Sequence, residues 1–176
     1  MASKVTAHCA KCNINYTYLF GESDDLILFN IFLDEYKKSQ IELFDREKFI
    51  NHFRPIFLNN IQEFKNFSEE NQLQLLNNNY EKIINFFFPQ EIEIIKKNIV
   101  MGHTIEVFPI INTNLTETER SIVSVPIMKI KFLSGKEYVR QYSNNVAYVQ
   151  FTPDQQFLTC PVHLDLTAQF VGEEKV

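Results

Sequence analysis

Two cysteines stand close to the start of the chain, in AHCAKCNINY, and the third stands far from them, in FLTCPVHLDL. Two residues separate Cys9 from Cys12, and two separate Cys160 from His163. Thiolate sulfur and imidazole nitrogen are donors that a tetrahedral zinc ion takes. A two-residue spacer at the tip of a tight turn aims both donors of a pair at one point. Two such knuckles facing each other supply a closed S3N shell. Cys9, Cys12, Cys160 and His163 are therefore the expected ligands of a structural Zn2+. Pro161, directly after Cys160, stiffens the second turn.

Other readings of these residues stand beside that one. Cys160 could be a buried core thiol, with His163 at the surface. Cys9 and Cys12 could form a redox dithiol, but such motifs lie between a strand and a helix, and no helix follows here. His8 could replace His163, yet it adjoins Cys9 and would have to turn back on it. Asp165 either orients the imidazole or stands exposed on a strand. The paired arrangement resembles a zinc ribbon interrupted across residues 13–159. Ribbons often end on cysteine and carry shorter insertions, so no ribbon function follows from the resemblance. A catalytic zinc keeps one position open for water beside a general base. The chain has no HExxH, and no glutamate follows two residues after any histidine. A zinc hydrolase is thus the remote alternative, and the balance leans against an enzyme. The four glycines are dispersed, which removes phosphate-cradling and dinucleotide loops.

A second candidate lies in SVPIMKIKFLSGKEYVRQY. If Ser134–Gly135 is a two-residue hairpin turn, Leu133 pairs with Lys136, Lys131 with Tyr138 and Lys129 with Arg140. Lys129, Lys131, Tyr138, Arg140 and Tyr142 then share one face. Basic groups interleaved with aromatics can hold phosphates while bases stack, or anchor a protein partner. The plain alternative is a solvated sheet face.

The elements that must position these residues change character twice. KVTAH, the cysteine turn and NINYTYLF read as a hairpin over 4–20, with period-two alternation. Residues 23–100 read as helical. Ser23 is an expected cap, and Leu26, Phe29, Leu33 and Tyr36 form a stripe that Ile27 and Ile31 widen. Asp45 caps a second helix through Phe49, Phe53, Phe57 and Ile61, which Pro55 should kink or split near His52–Arg54. Ser68 opens a third with Leu73, Leu76, Tyr80 and Ile83 inward, and QEIEIIKKNI forms a fourth after Pro89. From His103 the period becomes two, giving an antiparallel sheet over about 103–170. The fold class is α+β. One domain of 1–176 is expected, with a knuckle subregion (1–20 and 157–170), a helical insertion (21–100) and a sheet (101–156).

Composition bounds the function. At 176 residues with 45% apolar content the chain can bury a core without staples. An odd cysteine count, no apolar leader and no span-length apolar run point to the cytoplasm, or a host cytoplasm for a viral chain. The net charge of −5 concentrates in residues 21–100, which argues against nonspecific nucleic-acid binding. The expectation is a zinc-stabilised interaction module that binds another protein, a regulator or inhibitor of bacterial or phage kind. The alternative is a nucleic-acid-binding zinc domain that uses the basic–aromatic face.

Overall fold

The computed structural model describes residues 1–176 as a mixture of helices and antiparallel sheet. The chain forms two compact units. One comprises Met1–Ile27, Thr104–Lys129 and Tyr138–Val176, and the other Leu28–His103 and Ile130–Glu137.

The first unit is built on sheet. β1 (Ala2–Cys9) and β2 (Ile14–Gly21) form the expected hairpin, in register from Ala2↔Gly21 to Cys9↔Ile14. β3 (Val100–Asn112), β4 (Ile122–Phe132), β5 (Glu137–Val139), β6 (Val146–Tyr148), β7 (Phe157–Thr159) and β8 (Leu166–Lys175) follow. The strand order is β5-β4-β3-β2-β1-β8-β7, with β6 on β3. Helical segments therefore interrupt a sheet that the first hairpin begins. The expected sheet ends near residue 170, inside β8, because VGEEK lacks apolar alternation. β8 pairs antiparallel with β1 from Ser3↔Lys175 to Cys9↔Ala168, with one bulge at Thr6/Ala7. Inward residues along these strands, Val5, Ala7, Cys9, Tyr18, Leu158, Cys160 and Ala168, make one buried cluster with Ile111 and Val149.

The hairpin after β4 corrects the expected register. Phe132 N–H bonds Lys136 O at 3.0 Å and Gly135 N–H bonds Phe132 O at 2.9 Å. The loop therefore holds three residues, with Gly135 at φ +82°. Glycine fits this left-handed position without steric cost, and the arrangement is a type I turn with a bulge. Arg140 N–H bonds Met128 O at 2.8 Å, and Lys131 pairs with Glu137 at 3.3 Å. The register is one residue from the expected one, and a slip of one turns every side chain to the other face.

The second unit is mainly helical, and it also takes residues 100–103 and 130–137 from the strands just described: α1 (Ile27–Ser39), α2 (Arg46–Asn60), α3 (Gln62–Lys65), α4 (Glu69–Phe86) and α5 (Pro89–Lys97). Asp45 caps α2 by accepting Lys48 N–H at 3.0 Å, and Ser68 caps α4 by accepting Asn71 N–H at 3.3 Å. Each such cap is worth about 1 kcal/mol. Ser23 makes no side-chain cap and opens a 3-10 turn at Asp24–Leu26 instead. Pro55 does not divide α2. It removes one bond to the carbonyl of Asn51, which is exposed and open to water. Phe49 and Phe53 face inward, their ring centroids 4.6 Å apart, and Phe44 meets Phe32 and Phe87 edge to face in the same core. Ile27 and Ile31 were expected in the stripe but stand 50% and 47% exposed. Phe32 takes the inward position instead. No helix is long and apolar enough to cross a membrane.

Candidate metal centre

Cys9 ends β1, and Cys12 sits in the turn that leads to β2. Cys160 follows β7, and His163 lies in the turn before β8. Because β1 pairs with β8 and β7 pairs with β8, both turns open at the same end of the sheet. The four donor atoms lie within 4.8 Å of one another. Cys12 Sγ is 3.8 Å from Cys160 Sγ, Cys9 Sγ is 3.6 Å from His163 Nδ1, and His163 Nδ1 is 3.3 Å from Cys160 Sγ. Cys9 and Cys160 are buried, Cys12 and His163 half-buried, and all three thiols are free. The four residues chosen from spacing alone are thus brought together, in a geometry that could hold a metal ion.

The two turns match in backbone as well as in spacing. Asn13, directly after Cys12, has φ 57°, and Leu164, directly after His163, has φ 55°. Asparagine tolerates this left-handed region, but a leucine there is strained by on the order of 1–3 kcal/mol. The second turn is braced by Leu164 N–H to Cys160 O at 2.8 Å and Cys160 N–H to Asp165 O at 2.9 Å. Such strain, held by surrounding bonds, is typical of ligand clamps.

Polar neighbours set the character of the thiols. Burial pushes Cys9 up, but the Thr167 hydroxyl, the backbone N–H groups of Cys12 and Lys11 and the Cys12 side chain outweigh it and hold the thiol down to about 6. Burial pushes Cys160 up, with the neighbouring Cys9 and Cys12 adding to it. Tyr16 places its hydroxyl 3.3 Å from Cys12 Sγ, and its phenol is held above the ordinary value by burial, then by Cys12 and Cys160. Tyr18 donates to Thr159 O at 2.9 Å and so ties β2 to the strand that delivers Cys160. Sequence reasoning missed Tyr16 and Thr167. The signal for Tyr16 was strand parity: it lies opposite Ala7 and shares that face with Cys9.

The neighbouring candidates resolve differently. His8 Nδ1 lies 2.8 Å from Asn15 Oδ1, on the other parity of β1 from Cys9. Asp165 is exposed. It takes the Thr167 hydroxyl at 3.0 Å and pairs with Lys11 at 3.3 Å, bracing one turn against the other. His52 is satisfied by Glu35 at 3.0 Å.

No protein-family model, curated protein or solved structure matches this chain.

The basic–aromatic set is not gathered on one face. Lys129 and Lys131 are exposed, whereas Arg140 is only 2% exposed, and Tyr138 and Tyr142 are half-buried. Tyr142 donates its hydroxyl to Pro126 O at 2.7 Å. The one-residue register difference is the cause: it turns Arg140 to the side of Met128 and away from Lys129.

Proposed function

We propose that Cys9, Cys12, Cys160 and His163 bind one structural Zn2+, and that the chain is a non-catalytic module that acts by binding another protein. The donor spacing carries the metal assignment. With Zn–S near 2.3 Å and Zn–N near 2.05 Å, a tetrahedron has S···S edges of about 3.8 Å and N···S edges of about 3.6 Å. Cys12–Cys160 at 3.8 Å and Cys9–His163 at 3.6 Å fit those edges. Cys160–His163 at 3.3 Å is slightly short of its edge and lengthens on binding. Four donors fill a tetrahedron, so zinc here supplies cross-linking and leaves no position for a reacting water. Tyr16 serves the Cys12 thiolate as a hydrogen-bonding neighbour, the role that outer partners take around metal ligands.

What supports the protein-binding reading is a donor set that protein side chains alone complete, Cys9, Cys12, Cys160 and His163. The nucleic-acid reading loses its main support, because Arg140 is withdrawn from the solvent face.

Metal analysis of untagged protein purified without added zinc tests the assignment. One zinc per chain, absent from Cys160→Ser, is the expected result; a metal-free wild type overturns it. Cobalt substitution tests the closed site. The tetrahedral cobalt spectrum should stay unchanged when thiocyanate is added, and a shifted spectrum would restore the hydrolase alternative.

A further inference from the structure

The first unit contains a cleft of about 880 Å3 at the end of the sheet away from the cysteine turns. Its floor is the β1–β2–β8 face at Ser3 and Phe20, which lie opposite each other in the ladder. Its wall is the segment Phe151–Gln156. Three phenyl rings reach it, from Phe20, Phe151 and Phe170, and the first two lie 5.3 Å apart at a tilt of 42°. Phe151 and Phe170 are 37% and 39% exposed. The lining carries two carboxylates, Asp154 and Glu173, and no cation.

The wall is preformed. Asp154 accepts the Thr152 hydroxyl at 2.5 Å and Gln156 N–H at 3.2 Å, and Gln155 takes φ 58° to close the turn. The Thr152 hydroxyl keeps Asp154 below the ordinary carboxylate range, with Gln156 N–H adding to it. The turn also ends a strand pairing. β7 follows β8 only as far as Phe157↔Gln169, and Phe170 N–H makes the last bond, to Gln156 O at 2.7 Å. Beyond it the chain leaves the sheet, and Gly172–Lys175 keeps β1 on one side and no strand on the other, Val171 being the residue that the bulge leaves unpaired. Val171 is 64% exposed there. The cleft therefore lies over the sheet face, beside the stretch of β8 that β7 no longer covers.

An open strand edge accepts an extended chain through main-chain hydrogen bonds, and pockets for alternate side chains give selectivity. Phenyl faces with nearby carboxylates attract a cationic group, arginine above all. We infer that this cleft is a docking site for an extended protein segment that adds beside Val171–Lys175 and seats an arginine or lysine side chain among Phe20, Phe151 and Phe170, facing Glu173 and Asp154. The assignment rests on the protein-binding reading above and gives it a surface and a partner chemistry.

Blocked heptapeptides with an alternating threonine–valine framework test it, their central residue being arginine, lysine, glutamine or glutamate. Amide and phenyl resonances of the isotope-labelled protein report the site. Arginine and lysine peptides should shift the Val171–Lys175 amides and the Phe151 and Phe170 rings, with glutamine about tenfold weaker and glutamate without effect. Glu173→Lys should abolish the preference for cations. Glu174→Lys, on the opposite parity of β8 where Glu174 meets Lys4 at 2.7 Å, should leave it intact. Absence of shifts at β8 with every peptide, or equal binding of arginine and glutamate peptides, overturns the assignment. A protein partner cross-linked equally to wild type and Glu173→Lys ends the cleft assignment but leaves the protein-binding reading standing. If neither peptide nor protein is held, both fall.

Discussion

Replacing Cys160 by serine removes one metal donor while leaving almost the same volume in a position that is 0% exposed. The donors already stand within 4.8 Å of one another, so little reorganisation opposes binding. A metal that binds only the folded chain then adds stability in proportion to its concentration over its dissociation constant. The gain is about 2.7 kcal/mol at a hundredfold excess and about 4.1 kcal/mol at a thousandfold excess. For a chain of this length each kcal/mol moves the melting temperature by roughly 2–4 °C, so saturating zinc is worth roughly 5–16 °C. Calorimetry on wild type and Cys160→Ser, each with and without a strong chelator, gives a four-way comparison. The signals of Tyr16 and Tyr18, which adjoin the cluster, offer a local optical probe in a chain without tryptophan. Chelation should lower the wild-type transition by that amount. It should leave the variant unmoved, because the variant already melts near the chelated wild type. Equal chelator shifts in both proteins would refute the reasoning, since the metal would then be bound elsewhere.

Four further outcomes are expected. Acidification should release the metal as protons compete for the donors, visible as loss of the thiolate-to-cobalt charge-transfer band as pH falls. His103 is held below its ordinary value by burial first, so its neutral form belongs to the folded state. The stability it contributes is complete above about pH 6.5 and is lost as pH falls through the folded value, by at most about 1.4 kcal/mol per pH unit. Urea midpoints of His103→Gln should therefore fall less between pH 7 and pH 5 than those of the wild type. Arg140→Glu should destabilise by about 3 kcal/mol or more, because it places a carboxylate in a buried site, while exposed Lys129→Glu stays within about 0.5 kcal/mol; thermal melts of the two separate a packing role from a surface one. Asp45→Ala should cost about 1 kcal/mol through the lost cap of α2, read from the urea midpoint.

The cysteine hairpin was legible because NINYTYLF alternates, and alternation fixes which side chains share a face. Asp45 and Ser68 were legible as caps because their acceptors act within one turn of their own position. The strand β8 was not, since its order comes from pairing with β1, far away in sequence, and Glu173, Glu174 and Lys175 carry no local preference for a strand. The Lys129–Arg140 hairpin shows how little separates a right element from a wrong face. LSG supports a two-residue or a three-residue loop, and only the hydrogen bond from Phe132 to Lys136 decides between them. Phe32 replaced Ile27 and Ile31 in the core of α1 because its ring meets those of Phe44, Phe49 and Phe87. Tertiary packing, not helical period, selected that face. Of the candidate residues, the four donors were legible by spacing, whereas the docking cleft was not, because its parts come from β1, β2, β8 and the turn that precedes β7.

The pairing of β1 with β8 also sets an order of events during synthesis. Cys9 and His163 are 154 positions apart, and Cys12 and Cys160 are 148 apart. As the chain leaves the ribosome, the first hairpin emerges with two thiols and an unpaired flank, and it must wait until nearly everything it will enclose has been made. Contacts of such long range are slow to form. In that interval the pair of thiols can hold a metal only weakly, on two donors. On the proposed zinc assignment, full coordination would mark a polypeptide translated at least through His163, and a truncated product that lacks the second turn would leave a soft, exchangeable site behind.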